Sequence, residues 1–252
     1  MTDLLSQLHE LTRTLGTPAF DAVVIGEGNT STRIDAESFW IKASGRQMSA
    51  ITPGDFVAVR FAPILALIDQ PDMPLAEQKA VMRAALTDPA MPLPSVEVTF
   101  HAMLLSECAV NWIGHTHPTA VNGILCSTRA ESFAKNRLFP DEVVMCGPES
   151  VFVPYIDPGT PLCRAIQDGV RAYTAQYETH PQVIHLANHG MIALGSTPAE
   201  IVNITAMTIK AARIFQGACS VGEPVFMRRA DILHIARRPD EIYRRRQFVQ
   251  GG

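Results

Sequence analysis

NWIGHTHPTAVNG, residues 111–123, sets His115 and His117 two positions apart in a run that is otherwise apolar or small. In an extended strand alternate side chains share a face, so both imidazoles look to the same side of a sheet. Pro118, Thr119 and Ala120 then suit a strand that stops and turns into a helix. That places the pair at a strand end, where open sites of α/β proteins are found. The spacing by itself is weak evidence for a metal site, because the chain carries eight histidines and most histidines ligate nothing.

Outward from this stretch, short β-like runs alternate with helical ones. AVVIGEGNTSTRI (22–34) and SFWIKASG (38–45) predict strands around a glycine and asparagine turn, and DFVAVRF (55–61) a third. LAEQKAVMRAAL (75–86) and SVEVTFHAMLLSE (95–107) have helical spacing, the first opened by Pro74. NWIGHTH predicts a strand, PTAVNGILCS (118–127) a helix, and EVVMCG (142–147) and SVFVPY (150–155) two further strands. GTPLCRAIQDGVRAYTAQYE (159–178) and TPAEIVNITAMTIKAARIFQGA (197–218) predict long helices, with QVIHLANHGMIAL (182–194) a strand and turn or a hairpin between them. The pattern is mixed α/β. No repeat or low-complexity linker divides it, and the proline-rich stretch from Pro63 to Pro94 reads as an elaborated loop and helix within one domain spanning residues 1–252.

The composition agrees with a compact globular chain of 252 residues: 47% apolar and 18% charged, with a formal net charge of -4. No basic stretch is interleaved with aromatics, so nucleic-acid binding is not expected; RRRQ at 244–247, in an expected helical tail over 230–249, reads as a solvated helix face. No apolar run is long enough to span a bilayer, and the N-terminus is polar and acidic where a signal peptide would be apolar. Leu4, Leu8, Leu11 and Leu15 instead line one face of a helix over 3–15. The five cysteines are odd in number and scattered, which predicts reduced, mostly buried thiols in a cytoplasmic protein.

Three further features bear on the histidine pair. In ANHGMIALG, His189 precedes Gly190 at an expected tight turn, where glycine permits close backbone approach or positive φ, and a third imidazole would complete a zinc site with one open position. His185, four residues earlier in an apolar strand, is the competitor and reads as a satisfied core histidine. In LPSVEVTFH, Ser95 is placed as a helix N-cap and Glu97 in the first turn, where a carboxylate complements the helix dipole; His101 lies one turn further along the same face. In GEGNTS and KASGRQ, the amide of Asn29, the hydroxyls of Ser44 and Ser95 and the backbone of Gly45 form a donor set suited to an anion such as phosphate. Neither turn matches a P-loop or a dinucleotide fingerprint.

In order, GNTS, ASG, PSVE, HTH and NHG resemble the class II aldolase/adducin family, and the resemblance runs from about Ala22 to Phe215. It implies a central, mainly antiparallel sheet covered by helices, and a homotetramer with active sites at subunit borders. By resemblance to the fuculose-phosphate-type aldolases, His115, His117 and His189 hold zinc or another divalent metal, and Glu97 is the acid/base. Asn29, Ser44, Gly45 and Ser95 then match the phosphate site. Val96 departs from the family's pattern, which often has a second hydroxyl there, so the substrate is a sugar, a sugar phosphate or a sugar acid. Tyr243 is a possible counterpart of a tyrosine proton donor but stays outside the catalytic set.

The residue types fit retro-aldol cleavage: the enediolate needs a Lewis acid, and a carboxylate beside the metal can carry the proton at the carbon being made or broken. The expected activity is therefore that of a metal-dependent carbon–carbon lyase acting on a small carbohydrate, with no nucleic-acid or membrane partner. The alternatives are an epimerase or decarboxylase of the same family, whose epimerases typically carry aspartate at the Glu97 position, and a non-catalytic adducin-like interaction module, in which the metal set is incomplete.

Overall fold

The computed structural model describes residues 2–71 and 73–250. Seven strands form one sheet: β1 (Asn29–Arg33), β2 (Ser38–Lys42), β3 (Phe56–Arg60), β4 (Trp112–Thr116), β5 (Val151–Val153), β6 (Val183–Leu186) and β7 (Gly190–Gly195), in the order β3-β2-β1-β4-β7-β6-β5. Every neighbouring pair is antiparallel except β5 with β6. Eleven α-helices are present among the described residues: α1 (Thr2–Leu15), α2 (Phe61–Ile68), α3 (Leu75–Ala85), α4 (Val98–Glu107), α5 (Thr119–Leu125), α6 (Ala130–Lys135), α7 (Pro140–Cys146), α8 (Thr160–Tyr177), α9 (Pro198–Val221), α10 (Arg229–Arg237) and α11 (Pro239–Gln250). No helix among them is long and apolar enough to cross a membrane.

The period of two along the strands builds two cores, one on each face of the sheet. Ile113, Ile184, Leu186, Ile192 and Leu194 join residues of α2, α4 and α8 on one face. Trp112, Val183, Met191 and Ala193 join residues of α1, α5, α7 and α9 on the other. The result is a three-layer α/β/α domain with both sheet faces covered. His115 follows Ile113 at the two-residue interval and so shares the α4 face, while Gly114 faces α9, where an added Cβ would lie 2.6 Å from Ile201.

Several sequence expectations change. The strand expected from Ala22 is absent before Asn29. Residues 22–25 spend their backbone groups elsewhere, with His117 N donating to Ala22 O at 2.8 Å, and Ile25 takes a φ of 53° that no strand allows. The strand expected at 142–147 is instead the end of helix α7, opened by Pro140 at its first position with Asp141 and Glu142 in its first turn. A short buried apolar run has the same pattern in either conformation, and here the start signals decide. The arginines of RRRQ at 244–247 were expected on a solvated face, yet Arg245 ties α11 to α9 through the buried Glu200 at 2.6 Å. All five cysteines are free thiols, and Cys108, Cys146 and Cys163 are buried.

His185 is indeed a core residue, tilted against Phe133 with ring centroids 5.3 Å apart, but it is not satisfied: neither ring nitrogen has a hydrogen-bond partner among the described residues. Burial, then the nearby Arg137 charge, push its pKa down to about 3 from 6.5. The unfolded chain therefore binds a proton below pH 6.5 that the folded chain refuses until about pH 3, so stability falls as pH drops through that window. His185→Leu is expected to stabilise the fold by about 1–3 kcal/mol at neutral pH, because it removes unpaired buried polar atoms. At pH 5 the gain should grow by about 2 kcal/mol. Denaturant titrations at the two pH values check this, and an equal gain at both would remove the protonation argument.

Candidate active site

The site forms where β1 and β4 pair and the β6–β7 turn closes over them. The register opposes Asn29 to His115, so these two side chains stand beside each other on the face covered by α4. His117 lies just past the end of β4, and its ring comes back to His115 with Nε2 atoms 3.0 Å apart. His189 arrives from the β6–β7 turn, its ring centroid 5.0 Å from both other rings. The turn depends on Asn188 at a φ of 55° and on Gly190, where a Cβ would lie 2.6 Å from both the His117 ring and Thr116 O. Close approach, not positive φ, is what this glycine supplies. The three histidines offer ligand atoms that all lie within 4.8 Å of one another.

Hydrogen bonds assign the ring tautomers. His115 Nδ1 donates to Met191 O at 3.0 Å, and His117 Nδ1 donates to Glu27 Oε2 at 2.6 Å. Both Nε2 atoms are thereby turned into the cluster, where a proton or a metal ion can be shared between them. Glu97 Oε1 completes the cluster, 3.4 Å from His115 Nε2 and 3.2 Å from His189 Nε2.

Glu97 was expected in the first turn of its helix and Ser95 at the N-cap. The helix instead starts at Val98, two residues later than a Ser95 cap implies, with Ser95 Oγ accepting from Glu97 N at 3.2 Å and Glu97 O accepting from His101 N at 3.3 Å. Glu97 makes no side-chain cap bond; its carboxylate turns to the histidines and to Asn29, whose Nδ2 donates to Oε2 at 2.6 Å. The contact of His101 with Glu97 is indirect. Ser31 Oγ donates to His101 Nδ1 at 2.6 Å, His101 Nε2 donates to Asn29 Oδ1, and Asn29 holds Glu97. Every polar atom in this buried chain is paired, which locks the carboxylate in place.

Electrostatics follow from that packing. Burial opposes the charge on Glu97, but His115 and His189 outweigh it and hold its carboxyl well below the usual carboxylate range. Burial likewise opposes charge on His115, and Glu97 overcomes it to raise the pKa. His117 is lowered to about 4 by burial and then by the neighbouring imidazoles, so it is neutral and available as a ligand at ordinary pH.

A cavity of about 250 Å³ opens beside the histidines, lined by Glu27, Asn29, Lys42, Ser44, Gly45 and Ser95 among others. It brings together all four residues of the expected anion set. Val96 is packed against the core and does not line it. The sequence reading missed Lys42, a buried lysine whose Nζ donates to Gly26 O at 3.2 Å and Arg46 O at 2.5 Å. Burial lowers its pKa to about 8, against the pull of Glu97 and Asp55. Its signal was a lone charge in the apolar run SFWI before KASG. A larger cavity of about 430 Å³ lies between α7, α10 and α11, and two of its lining residues, Glu200 and Arg245, pair with each other at 2.6 Å.

Three imidazoles and a carboxylate converging at one strand end, beside an anion-sized cavity, define an α/β protein with a histidine-built centre. Residues 6–215 match the family described as the class II aldolase and adducin N-terminal domain, and the chain belongs to that family. The uncharacterized oxidoreductase YuxG of Bacillus subtilis (strain 168) is 27% identical over 180 residues, 68% of this chain. The chain spans only 24% of YuxG's length. Among solved structures, an L-fuculose 1-phosphate aldolase superposes with a TM-score of 0.71 at 17% identity, covering 94% of this chain and 95% of that one. The N-terminal class II aldolase domain of a conserved protein from Thermoplasma acidophilum gives a TM-score of 0.67 at 22% identity, over 83% and 92% of the two chains. At these identities the likeness is one of fold.

Proposed function

We propose that the protein is a metal-dependent aldolase that cleaves a carbon–carbon bond in a sugar, sugar phosphate or sugar-acid derivative. The observation that carries the reading is the convergence of the His115 and His117 Nε2 atoms at 3.0 Å, with both Nδ1 atoms committed to acceptors. With His189 they make a three-imidazole set, a donor set that fits zinc or another divalent metal with a position left for substrate. A metal held by these histidines would supply Lewis acidity for the negative charge that develops as the carbon–carbon bond breaks.

The chain's own groups do the rest. Glu97, ionised and anchored through Oε2 by Asn29, keeps Oε1 toward the histidines, where it takes the proton from the nucleophilic carbon and returns it. Ser44, Ser95, the Gly45 backbone and Lys42 receive the anionic end of the substrate and fix its orientation relative to Glu97. A non-catalytic module has no use for a buried carboxylate aimed at three imidazoles, which is why the enzymatic reading is preferred.

The test is a screen of ketose phosphates, free ketoses and sugar acids with zinc-loaded protein, following aldehyde release. An epimerase would consume substrate without aldehyde, a decarboxylase would release carbon dioxide, and an interaction module would do neither. On an anionic substrate, Lys42→Gln is expected to raise KM by about 10- to 100-fold, the value of a charged hydrogen bond, and Ser44→Ala by about 5-fold. Both effects should shrink on an uncharged analogue, and equal effects on both substrates would remove the anion role. Because Lys42 titrates near pH 8, the wild-type KM for the anion should rise as pH passes that value.

A further inference from the structure

Glu27 was not among the residues singled out in the sequence, yet it is the carboxylate that touches the back of the histidine cluster. Its two oxygens have separate duties. Oε1 accepts from Val24 N at 2.6 Å, closing a turn in which Glu27 N donates to Val24 O at 3.3 Å. Oε2 takes the hydrogen on His117 Nδ1 at 2.6 Å. The turn cannot drift from the histidines, because His117 N and Thr119 N donate to Ala22 O and Asp21 O at 2.8 and 3.0 Å. Gly28, at a φ of 70°, presses the following backbone so close that a Cβ there would lie 2.9 Å from His115 O. The carboxylate is therefore held by backbone at Oε1 and by the His117 ring at Oε2.

We propose that Glu27 is a positioning residue: by accepting the Nδ1 hydrogen of His117 it selects the tautomer that leaves Nε2 bare for a divalent metal. The inference rests on the metal reading of the three histidines. A neutral imidazole carries one N–H, and an acceptor-only carboxylate at Nδ1 compels that hydrogen to sit there. Met191 O makes the same selection for His115, but as a neutral carbonyl. Glu27 adds a negative charge, which strengthens Nε2 as a donor as well as orienting the ring; partners of this kind typically contribute about 10- to 100-fold in metal affinity. Glu27 reaches His117 on the nitrogen remote from the cluster, so it supports a ligand and is not one itself.

The experiment compares wild type, Glu27→Gln and Glu27→Ala by zinc affinity, through competition with a fluorescent chelator, and by the His117 tautomer in the zinc-free proteins from long-range nitrogen–proton NMR. Wild type should show His117 protonated on Nδ1. In Glu27→Ala that population should fall and zinc affinity should drop by about 10- to 100-fold. Glu27→Gln keeps one acceptor but no charge and should lie between them; it carries the comparison by itself if the alanine variant does not fold. A purely structural clip to Val24 would lower the melting temperature while leaving tautomer and affinity unchanged, and that result overturns the proposal. If wild type itself holds no zinc, the metal reading falls and this assignment falls with it.

Discussion

Glu97→Gln is expected to slow turnover by about 100-fold or more, the usual contribution of a positioned proton-transfer group, while the protein keeps its fold and its bound zinc. The geometry explains why the fold survives. The substituted glutamine can still accept from Asn29 Nδ2 through its carbonyl oxygen and place its amide where Glu97 Oε1 now sits, 3.2 Å from His189 Nε2, so no buried atom is orphaned. What is lost is the capacity to take a proton. Solvent deuterium exchange into the nucleophilic substrate should slow in parallel, because it reports the same transfer. If Glu97 merely complemented the dipole of α4, its replacement would cost about 0.3–1 kcal/mol of stability and leave turnover alone. A folded, zinc-loaded variant with wild-type exchange and turnover would sink the acid/base role.

His117→Ala should empty the metal site. With one of three imidazoles gone, affinity is expected to fall by more than about 100-fold, beyond the range seen when only a supporting residue is changed. Metal analysis after dialysis should find little zinc in this variant and full occupancy in wild type. His185→Leu is the control: His185 is packed against Phe133 away from the cluster, so its loss should leave occupancy intact. Full occupancy in His117→Ala would remove His117 from the ligand set, and a large loss in His185→Leu would mean that the wrong histidine of HLANH had been chosen.

Local sequence was enough for most of the alternation of strands and helices, for a strand ending at the histidine pair and for a turn at His189 and Gly190, while the grouping of Asn29, Ser44, Gly45, Ser95 and Glu97 came from the family order of motifs. These features reside in short-range patterns: side-chain period along a strand, glycine at a crowded turn, and a family order of motifs that holds whatever the intervening chain does. Conformations decided by wider context were less legible. EVVMCG is apolar enough for a strand or a helix, and AVVI before Gly26 is β-like in composition but has Ala22 O bonded to His117 N and Val24 bonded to Glu27.

Only the tertiary structure decided how the site is wired. Pairing of β1 with β4, distant in sequence, is what sets Asn29 against His115 and lets it clasp Glu97. Folding of the 22–28 turn across the end of β4 brings Glu27 to His117 Nδ1, and burial of Lys42 beside Ser44 turns an ordinary strand lysine into a cavity lining with a lowered pKa. The physical reason is that hydrogen-bond partner, tautomer and desolvation belong to neighbours in space. Residue spacing constrains which side chains share a face, but it carries no information on which distant strand will supply the atom opposite.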